Sequence, residues 1–501
     1  MLVQHLSEEK FSNKSEFFVK KFVKRLFSDT VVYGIGGVLS KSISFFLLPV
    51  YTRIFSPADY GTISFLVVIT NFIGVLMTMG MGGAQSFYFF EQKKNGIKNQ
   101  REVVSSILQF RLSWGVVIVL ISTLVSAPIN SFFFKGELTI WFFLISFSGA
   151  FFLRIMNQSA QLFRLLYRPW KYFGIMFFQT ILSAALILLL VLIFNKGIIG
   201  YFLGTMVGSL FAAVFGWIMI REYIDFSGFH LNWWPRILKF GAPLVPAEII
   251  NYVLTTSDRW FITHYNSTEE LGIYAVGAKF AMMITMVVTT FRLAWWPIAL
   301  DAMNSDDGNV LFRHMARIYL GVGIIGIVIL SAISRNLIFV FTGPGYTDAF
   351  VIVGVLSWFS VFYGFFLIAS AGIWKSEKTY LTSILMGIAA IVNIGLNWYL
   401  VPIYGGLGAA FATSISFFIW NLLGIIVSER LWFVGYNYWS MAFQIFVGIL
   451  TCFFIYYFDF NNYSPVYKIL LSIVTVLLLI YLSLSKGMIK SIKNSIKKKQ
   501  D

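Results

Sequence analysis

Apolar stretches of about 20 residues follow one another through nearly the whole chain, and each is long enough to cross a hydrocarbon core of about 30 Å. No soluble core could bury so many helices that are apolar all round. The pattern therefore dictates an all-α integral membrane protein. The runs fall at 28–50, 61–85, 104–127, 138–162, 172–194, 198–220, 237–264, 272–299, 312–341, 347–373, 379–401, 405–427, 438–458 and 465–486, which predicts about 14 transmembrane helices. Turn-forming stretches such as SPADYG (56–61), TGPGYTD (342–348) and VPIYGG (401–406) mark loops. Only 12% of the residues are charged, about half the share of a soluble domain.

The formal net charge is +16, but the placement of that charge excludes nucleic acid as a partner. Lys and Arg gather in the first 27 residues, in short loops and in the tail KGMIKSIKNSIKKKQD, where anionic lipid and topology place them. With the N-terminus inside, the predicted cytoplasmic segments hold about 27 basic residues and the external ones about 5. Both termini are thus expected in the cytoplasm. FFVKKFVKRLF (17–27) reads as an amphipathic segment on that face, or as a solvated basic stretch. No cleaved signal peptide is expected. The chain has a single cysteine, Cys452, and no Cys/His cluster has metal-ligand spacing, so neither metal nor other cofactor is expected.

The chain repeats itself. FGAPLVPAEIINYVLTTSDRWFITHYNSTEELGIYAV (240–276) echoes YGIGGVLSKSISFFLLPVYTRIFSPADYGTISF (33–65). Each copy has an aromatic-Gly start, a polar position seven residues on, an Arg near the outer end and an acidic turn that closes on glycine. NKGIIGYFLGTMVGSLFAAVFG (195–216) echoes YGGLGAAFATSISFFIWNLLG (404–424) in the same register. An even number of spans per repeat gives both halves one orientation, so the pseudo-twofold axis should run along the membrane normal. The expected organisation is a cytoplasmic N-terminal segment (1–27), six-helix bundles at 28–220 and 237–427, two additional helices at 438–486 and a basic cytoplasmic tail (487–501).

The stretch GIGGVLSKSISFFLLPVYTRIFSPADYGTISF, followed by MGMGGAQSFYFFEQ, resembles the opening of the bacterial polysaccharide transporter family. These are the Wzx-type lipid-linked oligosaccharide flippases of the multidrug/oligosaccharidyl-lipid/polysaccharide exporter superfamily. FRLAWWPIALDAM (291–303) resembles the end of that family's eighth span. The resemblance implies two six-helix bundles facing each other across a central cavity, plus two extra helices. It also implies a polyprenyl-pyrophosphate-linked oligosaccharide as cargo in the bacterial plasma (inner) membrane, membrane lipids as surroundings, and a polysaccharide polymerase and chain-length regulator as partners.

An ionised side chain at mid-membrane costs about 2.5–3.5 kcal/mol on insertion scales, so each one needs a cavity, a partner or a role. Lys41, Arg111, Arg154, Glu248, Asp258, Arg259, Lys279 and Arg292 fall inside predicted spans, and the basic ones dominate. Two polar stripes run at steps of three and four: Arg154, Asn157, Gln158, Gln161 and Arg164 on one helix, and Glu248, Asn251, Thr255, Asp258 and Arg259 on another. Both are expected to line a cleft or pack on other helices. Lys41 and Glu248 occupy equivalent repeat positions and could pair across that cleft, or each could be satisfied within its own bundle. Arg154, Arg111, Arg259, Lys279 and Arg292 are candidates for holding a pyrophosphate, because guanidinium forks match phosphate oxygens. Paired or snorkelling roles are the structural alternative. Pro49, Pro243, Pro246 and Pro297 are expected kink points.

The cationic, polar spans fit a transporter, and the resemblance implies a flippase that moves its cargo from the cytoplasmic to the outer leaflet by alternating access, for assembly of O-antigen, capsule or a similar surface polysaccharide. A drug/cation antiporter would need unpaired carboxylates in its bundles, and basic residues prevail here. A membrane polymerase or ligase would need catalytic groups on a large external loop, and the predicted external loops are short. The chain is read as a transporter, not an enzyme.

Overall fold

A computed structural model describes residues 43, 45–225 and 228–483. Residues 17–27, Lys41, most of the first predicted span and the basic tail lie outside the described residues. Every regular element among the described residues is helical. The first stretch carries α1 (Leu48–Ile54), α2 (Pro57–Thr78), α3 (Met81–Glu91), α4 (Ile97–Leu124), α5 (Ser126–Phe134), α6 (Ile140–Leu165), α7 (Pro169–Leu188) and α8 (Gly197–Ile220). The second carries α9 (Trp234–Gly241), α10 (Val245–Tyr265), α11 (Thr268–Met303), α12 (Gly308–Phe341), α13 (Ala349–Ala369), α14 (Ala371–Lys375), α15 (Tyr380–Leu431), α16 (Tyr438–Phe460) and α17 (Pro465–Ser483).

Twelve helical segments among these are long and apolar enough to cross a membrane. The 52-residue α15 is two spans in one, because Gly405 interrupts it with φ 54° and ψ −135°, a backbone conformation open essentially to glycine alone. Counting α15 as two makes thirteen. With the first predicted span lying largely outside the described residues, this agrees with the predicted 14.

The chain forms two compact units. The first comprises the described residues within Met1–Phe45, Gly80–Leu120 and Phe147–Gly241. Here α7 and α8 pack closely because glycines remove the side chains between them: a Cβ on Gly204 would collide with the backbone of Ile187, and one on Gly208 with Ser183. Small residues let membrane helices meet without any hydrophobic drive between them. Helix α3 begins at a break where Met79 and Gly80 both take left-handed conformations (φ 44° and 67°), so the predicted 61–85 span divides into α2 and α3. The bare face of Gly80 lies against the backbone of Gly241. Phe87 stacks on Phe240 with centroids 4.8 Å apart, and the Tyr88 hydroxyl donates to the Arg236 carbonyl at 3.0 Å.

The second unit comprises Phe46–Met79, Ile121–Ser146 and the described residues within Ala242–Asp501. It brings the two copies of the repeated turn against each other. A Cβ on Gly61 would strike the Thr268 carbonyl, and one on Gly272 would strike the Pro57 carbonyl, so α2 and α11 cross backbone to backbone at equivalent positions. Both helices start with the same cap: Ser56 Oγ accepts from the Asp59 amide, and Ser267 Oγ from the Glu270 amide, each at 3.1 Å. The copies then diverge. Asp59 closes a capping box on Ser56, while Glu270 accepts at 2.6 Å from the Gly406 amide freed by the break in α15. Pro243 sits in a short 3-10 turn, Ala242–Leu244, that splits the predicted 237–264 span into α9 and α10. Pro297 is carried inside α11. The two additional helices are clamped to α12 by a buried ion cluster: Lys468 Nζ lies 2.8 Å from Asp459 Oδ1, and Arg335 donates to the Asp459 carbonyl and to Asn462.

Candidate functional site in the membrane spans

In the first unit the α6 stripe divides between two surroundings. Gln158 is fully buried and donates to the Val104 carbonyl of α4 at 3.1 Å. Arg111, also buried, donates to the Arg154 carbonyl at 3.1 Å. These contacts hold α4 and α6 together, and interhelical bonds of this kind average about 0.6 kcal/mol in membranes. Asn157, Gln161 and Arg164 instead line a cavity of about 420 Å³ with Gly82, Gly83 and Ser86 of α3, Ala160 of α6 and Tyr172 of α7. Gln161 Nε2 donates to the Gly82 carbonyl at 2.6 Å and to Ser86 Oγ at 3.2 Å. Gly82 permits that approach, since a Cβ there would stand only 3.3 Å from Gln161 Oε1. Among the described residues, nothing hydrogen-bonds the side chains of Asn157 or Arg164.

In the second unit the α10 stripe is drawn into a dense polar knot. Asp258 is buried; Tyr274 of α11, itself fully buried, donates its hydroxyl to Asp258 Oδ2. Arg259 Nη1 lies 3.8 Å from Asp258 Oδ1, and its guanidinium sits 6.0 Å from the Tyr274 ring centre. The one carboxylate of the knot is therefore shared between a hydroxyl and a guanidinium. Lys279, half-buried on α11, lies within electrostatic reach of Arg259 and makes no ion pair or hydrogen bond among the described residues. The knot carries a surplus positive charge.

Arg292 stands apart from that knot as a cation–π partner, 4.5 Å over the Tyr363 ring of α13. Glu248 and Asn251 are exposed on α10. Lys41 lies outside the described residues.

Sequence reasoning missed a second buried polar cluster, between α10 and α15. Ser257 Oγ donates to Asn393 Oδ1 at 2.7 Å, and Asn397 Nδ2 bonds the same oxygen at 3.0 Å. Asn393 and Asn397 are both fully buried. Two amides four residues apart in an otherwise apolar run were the available signal, since that spacing puts both on one helix face. Ser86 and Tyr172 carried no such signal, because only tertiary packing brings them to the cavity wall.

The sequence profile of the family described as "Polysaccharide biosynthesis protein" matches residues 26–303, and that described as "MatE" matches 243–399. "Lsg locus putative protein 1" of Haemophilus influenzae is 22% identical over 295 residues, 58% of this chain and 70% of that protein. A "Putative O-antigen transporter" of Shigella flexneri is 23% identical over 226 residues, 43% and 53% of the two chains. Among solved structures, "Lipid II flippase MurJ, inward closed conformation" superimposes with a TM-score of 0.68 at 18% identity, covering 90% of this chain and 98% of that one. An inward-facing multidrug resistance MATE family transporter gives 0.59 at 12% identity, covering 78% and 95%. These solved structures share the fold. With more than half of its length inside the first match, the chain belongs to the polysaccharide biosynthesis protein family, whose members are multi-pass membrane transporters rather than enzymes.

Proposed function

We propose that the protein is a flippase that carries a polyprenyl-pyrophosphate-linked oligosaccharide from the cytoplasmic to the outer leaflet of the bacterial plasma membrane, with both termini in the cytoplasm. The observation that carries this reading is Lys279: a cation inside a membrane span, beside Arg259, with no acceptor among the described residues. Such a group raises the cost of the empty state by about 2.5–3.5 kcal/mol, and an anionic cargo would recover it. A charged diphosphate and its sugars cannot cross hydrocarbon unaided, whereas the polyprenyl tail can stay in lipid. The name of the Shigella relative, an O-antigen transporter, supports a surface-glycan precursor as cargo. The cationic residues Arg154, Arg111, Lys41, Arg259 and Arg292 are the further candidates for contact with the head group.

The backbone contact of Gly61 with Thr268 and the bond from the Gly343 amide to Thr52 Oγ1 at 3.3 Å join the predicted outer ends of the two halves. In an alternating-access cycle these contacts hold the outer side shut and must part for release. The test is restoration of surface polysaccharide in a strain deleted for the chromosomal copy. Wild type should restore it and Lys279→Ala should not, at equal membrane abundance; full restoration by Lys279→Ala would remove the observation on which the reading rests. The MatE match over 243–399 favours cation-coupled drug export as a second reading. Raised drug resistance without any effect on polysaccharide would select it.

A further inference from the structure

The cavity of the first unit has a composition that the cationic knot lacks. Its volume of about 420 Å³ lies within the roughly 300–1,000 Å³ typical of small-molecule sites. Its polar groups are mainly neutral and of both hydrogen-bonding senses. Asn157 offers two amide donors and a carbonyl acceptor, and among the described residues none of them is bonded. Gln161 spends Nε2 on Gly82 and Ser86, which leaves its Oε1 as an acceptor. Arg164, exposed in the last turn of α6, adds the donors of a guanidinium fork at the same wall. Tyr172 contributes an aromatic side chain, and Gly82 and Gly83 contribute a stretch of wall without side chains.

A vicinal diol is donor and acceptor at once, so paired amides match sugar hydroxyls better than they match a simple anion. A single free guanidinium at the wall matches one phosphate. We infer that this cavity is a binding subsite for a glycosyl phosphate, with the sugar ring held by Asn157 and Gln161 and its phosphate by Arg164. The inference rests on the flippase reading and deepens it. Arg164 belongs to a segment predicted to be cytoplasmic, the side on which such a cargo would be collected, so the subsite would select the sugar next to the carrier phosphate.

The phosphate chemistry could also be supplied by a phospholipid head group, and the test separates the two sources. Protein in nanodiscs is probed by saturation-transfer NMR with glucose 1-phosphate and N-acetylglucosamine 1-phosphate. Wild type should transfer saturation to the ring protons of at least one of them. Asn157→Ala and Arg164→Ala should each cut that transfer about tenfold, the value of one lost charge-assisted or paired contact. Arg164→Lys should retain part of it, which guards against a misfolded alanine variant. Raising the phosphatidylglycerol content should have no effect.

Four outcomes overturn the subsite: no transfer from either probe, transfer indifferent to both alanine variants, loss of transfer on adding phosphatidylglycerol, and complete competition by inorganic phosphate alone. The deletion-strain assay keeps the two readings apart. If wild type and both alanine variants restore polysaccharide alike, the subsite falls and the flippase stands. If wild type restores nothing, the flippase falls, whatever the NMR reports.

Discussion

On α6, Asn157 and Arg164 present polar groups to a cavity in which no protein group among the described residues bonds them. On α10, Asp258 and Arg259 are drawn into contact with Tyr274 and with each other. Both helices carry polar residues at the same three-and-four spacing, and both stripes interrupt an apolar span. The difference lies in what packs opposite. Helix α6 faces α3 across Gly82 and Gly83, which supply no side chains to fill the gap. Helix α10 faces α11 and α15, which supply Tyr274 to the Asp258 carboxylate and Asn393 to the Ser257 hydroxyl. Spacing determines that a helix has a polar face, and the neighbour determines whether that face becomes an open site or a sealed joint.

The sharpest way to break this contrast is to remove the carboxylate from the sealed side. Asp258→Asn leaves Arg259 without the counter-charge that lies 3.8 Å from it, and breaking one partner of a buried pair costs about 3–5 kcal/mol. Thermal unfolding in detergent should show a larger loss for this variant than for any single substitution on α6 or at Lys279, and Asp258→Asn combined with Arg259→Gln should recover much of it. A single variant as stable as wild type would mean that the knot is not a closed electrostatic unit.

The next effect has the opposite sign. Lys279→Gln removes a cation that has no acceptor among the described residues, so it should leave the protein at least as stable as wild type, by up to about 2.5–3.5 kcal/mol, while polysaccharide export falls. Stability and activity moving together would instead mean that Lys279 is a structural cation.

How much of this was legible beforehand follows from the same physics. Run length sets the number of spans, because hydrocarbon thickness fixes the helix that can cross it. The repeat was visible, and the meeting of its two copies at Gly61 and Gly272 follows from glycines kept at equivalent turns. The break at Met79–Gly80 was not legible, since a non-glycine residue in the left-handed region has no sequence mark. Nor was the division of the α6 stripe. Each residue turns a helix by about 100°, so Asn157, Gln161 and Arg164 fall within an arc of about 60°, whereas Arg154 and Gln158 lie further round toward α4. Steps of three and four alone merge the two groups into one face.

That division makes neighbouring residues the finest probe of the comparison. Gln158→Ala should cost about 1 kcal/mol in thermal unfolding, because it strips the amide bonded to the Val104 carbonyl at full burial and leaves that carbonyl with only its intrahelical partner. It should spare export at 30 °C once protein levels are matched. Asn157→Ala touches no protein partner among the described residues, so its stability cost should be a few tenths of a kcal/mol at most, yet it should lower export several-fold. The test is the crossing of two readouts on adjacent positions of one helix. If both variants lose stability and export in the same proportion, the α6 face is a single packing surface like the one on α10, and the contrast between an open and a sealed stripe is lost.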